Sequence, residues 1–395
     1  MKIRKLHIKN YKVFDDLELD FTDANGKTLD KVVLAGVNGC GKTTVLEIIA
    51  KIVDGTIYDD LKIYKKSSID VEIELTIKER KDSEGILNIL SEEISLINKS
   101  INELQLIFSL QLYKESSFFF LQSLRNIVPQ LLYIPVDTVK QNVSNGNNVR
   151  VINVTSYVRE MKTLILNRIT DDMFSNKDLA PRLSIEKEIK DINNTLYDMN
   201  LATKLVDFES KELVFKSANG QKIKFEDLST GEQTLYFRGI YLNKLNPQNS
   251  IIMIDEPEES LHPTWQQKVL KLYQNIGENN QVIVATHSPH IIGSSKAEEV
   301  FLLEIEGNHV EAVHPRYTKG HSIDYILDEI MGANSRDTAV INLVDDYLAL
   351  MRKGLHETDK GLKLKATIDA LNLDPNSEEM LRLDLSIKRF KAVGV

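Results

Sequence analysis

The chain has 395 residues, 42% of them hydrophobic and 27% charged, a balance that suits folded domains and excludes wholesale disorder. Its 49 Lys and Arg stand against 58 Asp and Glu, a net charge of −9, so general attraction to polyanions is excluded and any nucleic-acid contact needs a local basic patch. The single cysteine, Cys40, excludes an internal disulfide and fits a reducing cytoplasm, and no run approaches the roughly 20 apolar residues of a membrane span.

The length predicts a compact core with one or two appendages. Ile3 to Phe21 reads as two short strands that alternate apolar and polar residues, without the continuous apolar run of a secretory signal. Their outer face carries Lys2, Arg4, Lys5, Lys9 and Lys12, either a solvated strand face or part of a DNA-clamping surface. Lys31–Ala35 is an apolar strand running into a glycine-rich turn. Thr43–Asp54 then places Leu46, Ile49, Ala50 and Val53 at helical spacing, with Gly55 as a stop. Val71–Ile77 alternates strictly, as a half-buried strand does.

Between Gly85 and Asn126 proline is absent, and Leu90, Ile94, Ile97, Ile101, Leu104 and Phe108 follow the a/d pattern of a coiled coil. Such a stripe either packs on its own domain or joins helices of a hairpin or of another subunit. Leu131–Pro135 resumes the strand pattern, and the polar stretch from Val136 to Asn200, with its Asn-rich loop at Gln141–Asn148, reads as a second, mostly helical insertion. Leu213–Phe215 and Lys222–Phe225 flank Asn219-Gly220 as a hairpin. Ile251–Ile254 and Gln281–Ala285 are short apolar runs that belong to a parallel sheet, and beyond Pro315 the chain turns helical. The expected fold is α/β. A head of residues 1–83, 129–136 and 213–314 is interrupted by helical insertions at 84–128 and 137–212, and a helical region follows at 315–395.

Three segments carry chemistry. Gly36-Val-Asn-Gly-Cys-Gly-Lys-Thr43 fits the phosphate-binding loop, placed between a strand and a helix as that loop requires. Its glycines let backbone N–H groups wrap phosphates, Lys42 reaches the β- and γ-phosphates, and the Thr43 hydroxyl suits Mg²⁺. Ile251–Glu256 is an apolar strand ending in two carboxylates. Asp255 is placed to hold Mg²⁺, and Glu256 to orient or deprotonate an attacking water. Val282–Ser288 puts His287 at the end of a further strand.

Leu228-Ser-Thr-Gly-Glu-Gln233, lying before the acidic strand, resembles the signature motif of ABC ATPases, and His287 matches that family's switch histidine. The segment Glu256-Pro-Glu-Glu-Ser-Leu-His-Pro263 and the opening Ile8–Phe14 resemble the RecF/OLD-like branch of soluble ABC ATPases. The resemblance implies an ABC head, a phosphate-binding parallel core sheet with antiparallel N-terminal strands. It implies ATP and Mg²⁺ as ligands, with nucleotide contacts from Asn38, Gly39, Cys40, Gly41, Lys42, Thr43 and Thr44. Thr43 and Asp255 would hold the metal, and Glu256 and His287 would serve the chemistry. It further implies a dimer or higher homo-oligomer in which Ser229, Gly231 and Glu232 of one subunit complete the site of the other, with Ser260 in the segment crossing between them. Tyr11 is the candidate for stacking on adenine. The Mg²⁺-sensing glutamine has no clear counterpart, since Gln141 lies in the Asn-rich loop.

Asp345-Asp346 has helical context, unlike the strand-end acids of the metal-binding nuclease domain in OLD proteins. With the tail around Gly320–Asp324, the head resembles ATPases of bacterial anti-phage systems such as PARIS and Septu. That implies a sensor or regulatory ATPase governing a separate effector, a nuclease or toxin, with DNA or a phage-derived molecule as trigger. The rival expectations are a RecF-like repair ATPase that clamps DNA, and a slow nucleotide-stabilised scaffold.

Overall fold

The computed structural model describes residues 2–54, 66–75, 94–96, 117–121, 131–135, 150–152, most of 163–170, 181–209, 212–307, 309–333, 337–375 and 377–393. They fall into two units, residues 1–322 and 323–395.

The first unit begins with a hairpin. β1 (Lys2–Tyr11) and β2 (Phe14–Asp20) pair antiparallel from Lys5↔Asp20 to Tyr11↔Phe14, burying Ile3, Leu6, Ile8, Tyr11, Phe14, Leu17 and Leu19. The opposite face is neutralised by carboxylates. Lys2 pairs with Asp30, Arg4 with Glu72 at 3.2 Å, Lys5 with Glu18 at 2.7 Å, Lys9 with Asp16 at 3.9 Å and Lys12 with Glu47 at 3.1 Å. After β3 (Lys31–Ala35) and α1 (Lys42–Asp54), β4 (Ser68–Leu75) joins the free edge of β1, and β5 (Ile94–Leu96) adds outside it.

β6 (Ser117–Leu121), β7 (Leu131–Pro135) and β8 (Arg150–Ile152) belong to the central sheet. α2 (Pro181–Thr195) leads to a separate antiparallel sheet of β9 (Lys204–Glu209), β10 (Glu212–Lys216) and β11 (Lys222–Lys224). α3 (Thr230–Leu245), β12 (Ile251–Asp255), α4 (Pro263–Gln274), β13 (Gln281–Ala285), α5 (Pro289–Ser294), β14 (Val300–Glu306) and β15 (His309–Val313) complete the unit.

The central sheet runs β15-β14-β3-β13-β12-β6-β7-β8, with β14, β3, β13, β12 and β6 parallel and the outer strands antiparallel. β3, β12 and β13 are buried along their whole length, because layers cover both faces. This is the expected α/β architecture, with one shared core linking β1, β2, α1 and the central sheet.

Two segments depart from the helical reading of 84–128. Ile94–Leu96 is strand β5, paired Ile73↔Leu96 with β4, and Ser117–Leu121 is β6, a parallel neighbour of β12. The Phe118-Phe-Phe-Leu121 run has strong strand propensity, and a distant partner strand overrides local periodicity. Leu90, Ile97, Ile101, Leu104 and Phe108 lie outside the described residues, as does Gln141 with its loop.

The second unit contains α6 (Thr338–Arg352), α7 (Asp359–Ala370) and α8 (Glu378–Val393), preceded by a helical turn over Ile323–Ile330. Asp337 and Thr358 cap α6 and α7. Val344, Tyr347, Leu348, Met351, Ile368 and Leu383 form its own core. Asp345 lies on α6 and accepts a hydrogen bond from Arg382 at 2.7 Å. Among the described residues no helix is long and apolar enough to cross a membrane.

Candidate functional site

Residues 36–41 link the buried end of β3 to the first turn of α1. Gly41 holds φ +98°, and a Cβ there would sit 2.4 Å from the Phe14 ring; at Gly36, φ +141°, it would lie 2.5 Å from the Leu303 carbonyl oxygen. Only glycine satisfies both the backbone and the space. Asn38 and Gly39 are exposed at the turn, Cys40 is buried beneath it, and Thr43 and Thr44 are half-buried. Lys42 curls back so that Nζ donates to the carbonyls of Gly36 and Val37, each at 2.9 Å. Burial lowers its pKa, opposed by Cys40, Asp255 and Glu256.

The Thr43 hydroxyl donates to Asp255 Oδ2 at 3.0 Å, tying the first turn of α1 to the end of β12. Burial raises the Asp255 pKa to about 6; the Thr43 hydrogen bond opposes this, and the charges of Glu256 and Glu258 add to it. A hydroxyl beside a carboxylate is a hard-oxygen pair, the donor chemistry Mg²⁺ takes when phosphates supply its other ligands. Glu256 follows in the left-handed region at φ +47°, its N–H bonded to the Ala285 carbonyl at 2.8 Å. Such a conformation costs a non-glycine residue about 1–3 kcal/mol and is typical of functional turns. Because β12 and β13 are parallel neighbours in register at Asp255↔Ala285, Glu256 and His287 emerge at one sheet edge. The His287 N–H donates to Glu258 Oε1 at 2.7 Å, and Ser288 caps α5.

The signature residues form a second cluster. Ser229 is the N-cap of α3: it accepts the Glu232 N–H and donates its hydroxyl to Glu232 Oε2 at 2.9 Å. Glu232 is buried, and its other oxygen accepts from Thr203 at 2.9 Å, so its carboxylate braces the loop from beneath. Gln233 donates to the carbonyls of Leu228 and Phe225 at 3.1 and 3.2 Å. Ser229 stays exposed, while Gly231 packs so tightly that a Cβ would meet the Ser260 carbonyl at 2.5 Å and the Trp265 ring at 3.0 Å. Ser260 itself has φ +62°. The fold thus gathers Lys42, Thr43, Asp255, Glu256 and His287 at one edge, and Ser229, Gly231, Glu232 and Ser260 around the start of α3.

Tyr11 cannot stack on a ligand: it is 0% exposed, opposite Phe14 in the core, because the β1 alternation breaks at Asn10, whose φ of +50° leaves Asn10 exposed and Tyr11 buried. Two residues to which the sequence reading gives no role stand out. Glu258 sits in the run Glu256–Glu259, and its pKa is raised chiefly by burial. Arg238, hidden among apolar residues of α3, is 3% exposed.

Residues 31–293 match the family model described as "AAA domain, putative AbiEii toxin, Type IV TA system". The chain is 22% identical to "Retron Ec83 probable ATPase" of Escherichia coli, over 98% of this chain and 87% of that one. It is also 22% identical to "Septu protein PtuA" of Bacillus thuringiensis, over 99% of both chains. The solved structure titled "Crystal structure of the SmcHead bound to the C-winged helix domain of ScpA" superposes on 80% of this chain and 98% of its own, with a TM-score of 0.49 at 14% identity.

Proposed function

This chain belongs to that AAA domain family, and we propose that it hydrolyses ATP at sites shared between two copies of itself, as the regulatory ATPase of a bacterial anti-phage system. The observation that carries the proposal is the Thr43–Asp255 hydrogen bond, which joins the first turn of α1, at the end of the glycine-rich loop, to the end of β12 just before Glu256. In this reading the loop and Lys42 bind the β- and γ-phosphates, and Thr43 and Asp255 hold Mg²⁺, which neutralises phosphate charge. Glu256 orients and deprotonates the attacking water, giving ADP and phosphate, and His287 lies beside the γ-phosphate. Ser229, exposed at the positive end of α3, caps the γ-phosphate held by the second copy.

The similarity to the Septu and retron proteins supports a defence role in which the ATPase governs a separate effector, a nuclease or toxin. The neutralised face of β1 favours this over a DNA clamp, since the five cations that would meet phosphates already face carboxylates.

Purified chain should release phosphate from ATP with Mg²⁺. Lys42→Ala should lose nucleotide affinity, whereas Glu256→Gln should keep it and lose about 10²–10⁴-fold in kcat. Hydrolysis by Glu256→Gln at the normal rate would refute the assignment. For the defence role, cells carrying this gene with its neighbours should resist phage infection and lose resistance with Glu256→Gln; unchanged plaque counts on deleting the gene would reject it.

A further inference from the structure

Two charged side chains, the buried Arg238 and the half-buried Glu258, join the signature helix to the hydrolytic edge. Arg238 on α3 donates from Nη1 to the Pro257 carbonyl at 3.1 Å and lies 3.5 Å from the Tyr273 hydroxyl. Pro257 is the residue between Glu256 and Glu258. Glu258 in turn holds the His287 backbone at 2.7 Å. Burial raises the pKa of the Tyr273 hydroxyl; the Arg238 charge opposes this and the Glu258 charge adds to it. One end of α3 therefore presents Ser229, and a side chain further along the same helix grips the turn that sets Glu256 in its left-handed conformation.

Neither residue is fully satisfied. Among the described residues, Nη2 of Arg238 and Oε2 of Glu258 are enclosed without hydrogen-bond partners. A buried donor or acceptor left unmade is costly, so such groups mark either an ordered water or a second arrangement in which they are used. A guanidinium with a spare donor and a carboxyl with a spare acceptor, on the two sides of one turn, form a complementary couple.

We propose that Arg238 and Glu258 are positioning residues that relay engagement of the signature helix by the second copy's ATP to Glu256 and the His287 loop. The relay rests on the reading of Glu256 as the water-activating group. When Ser229 is drawn onto a phosphate, α3 moves as a rigid rod and carries the guanidinium with it. The Pro257 carbonyl follows, the spare donor meets the spare acceptor, and the turn settles with Glu256 aimed at water. Hydrolysis is thereby made conditional on dimerisation, while ATP can bind a single copy.

The test uses the full chain, with steady-state ATP hydrolysis, titration with a non-hydrolysable ATP analogue, and thermal unfolding as a check of folding. Arg238→Met and Glu258→Ala should each lower kcat about 10–100-fold with KM and analogue affinity within about threefold of wild type. Glu258→Gln keeps one acceptor for the His287 N–H but sets an NH2 donor against the Arg238 guanidinium, so its kcat should stay about 10-fold or more below wild type. Combined with Ser229→Ala, Arg238→Met should add little further loss, because both act through one relay. Folded Arg238→Met and Glu258→Ala proteins with kcat within about twofold of wild type overturn the proposal. A parallel loss of analogue affinity overturns it too, since that is the mark of a mere fold support. Where these variants do not fold, Arg238→Lys stands in: it keeps the charge and loses the planar fork, and should lower kcat about threefold or more, an unchanged kcat again being fatal. Normal hydrolysis by Glu256→Gln in the same assay strikes the underlying reading, whereas its expected loss beside an unaffected Arg238→Met strikes only the relay.

Discussion

The loop after β3 and the turn after β12 serve the same edge, yet they hold their shapes by different means. The loop is shaped from within: left-handed glycines fix the path, and Lys42 binds back to carbonyls five and six residues earlier. The turn is shaped from outside, by Ala285 on the neighbouring strand, by Arg238 on α3 and by His287 bonded to Glu258. A self-contained loop carries its structure in a short stretch of sequence, whereas a turn braced from afar can respond to what its braces do. The first suits constant binding of phosphate, and the second suits hydrolysis under control.

The sharpest test of this contrast uses two defects in separate chains. Lys42→Ala disables the loop and Ser229→Arg the signature, and each alone should reduce hydrolysis by about 10²-fold or more. Mixed together, the two should recover up to about a quarter of wild-type activity per dimer, because some mixed dimers pair an intact loop with an intact signature. Verified mixed dimers without recovery would mean that each chain completes its own site.

Next in size is a comparison within the loop. Gly41→Ala adds a clash with Phe14 to backbone strain and should cost about 2–4 kcal/mol in stability or abolish nucleotide binding. Gly39→Ala, at φ +85° with open space around the added carbon, should cost only about 1 kcal/mol. Equal losses in thermal melts of the two variants would show that the loop, too, is braced from elsewhere.

A smaller effect concerns pH. Burial pushes the Asp255 pKa up to about 6 in the folded chain, against an ordinary carboxylate value of 3.8. The folded state holds that proton through the window between the two values, after the unfolded state has released it. The stabilisation is therefore present below about pH 4 and lost as pH rises through about 6, a swing on the order of 2–3 kcal/mol. Melting of nucleotide-free protein across that window should show the fall, and Asp255→Asn should flatten it; an identical slope in the variant would remove Asp255 as the cause. Smallest of all, Lys5→Ala on the neutralised strand face should change stability by no more than about 0.5 kcal/mol, read from denaturant midpoints, since its pair with Glu18 is open to solvent.

The same contrast decides what was legible in the sequence. Gly36–Thr43 declares itself because every constraint on it is local, and the apolar runs of β3, β12 and β13 because burial on both faces leaves no polar positions. Asp255, Glu256 and His287 are legible as strand-end residues, and parallel register supplies their meeting. Arg238 and Glu258 are silent because their roles exist only across elements: one looks like a chance cation in an apolar helix, the other like one more acid in an acidic run. β5 and β6 are missed for a related reason, as heptad spacing describes a segment alone while strand β6 is decided by β12. Tyr11 misleads through its chemistry, since a ring beside a phosphate loop invites a stacking role, and only the pairing with Phe14 shows which way it points.

The separate core of α6, α7 and α8 has a consequence for how such a chain can diversify. Val344, Tyr347, Leu348, Met351, Ile368 and Leu383 pack with one another within the second unit. Substitutions on the surface of that bundle are buffered by a core that includes no residue of the phosphate loop, the acidic turn or the signature. Selection can therefore rework the outer faces of the helical unit while the machinery of residues 1–322 stays under its own, stricter constraint. Drift should accumulate fastest where the exposed Leu362, Leu381 and Leu385 lie, and slowest around Gly41 and Gly231, where a single added carbon has nowhere to go.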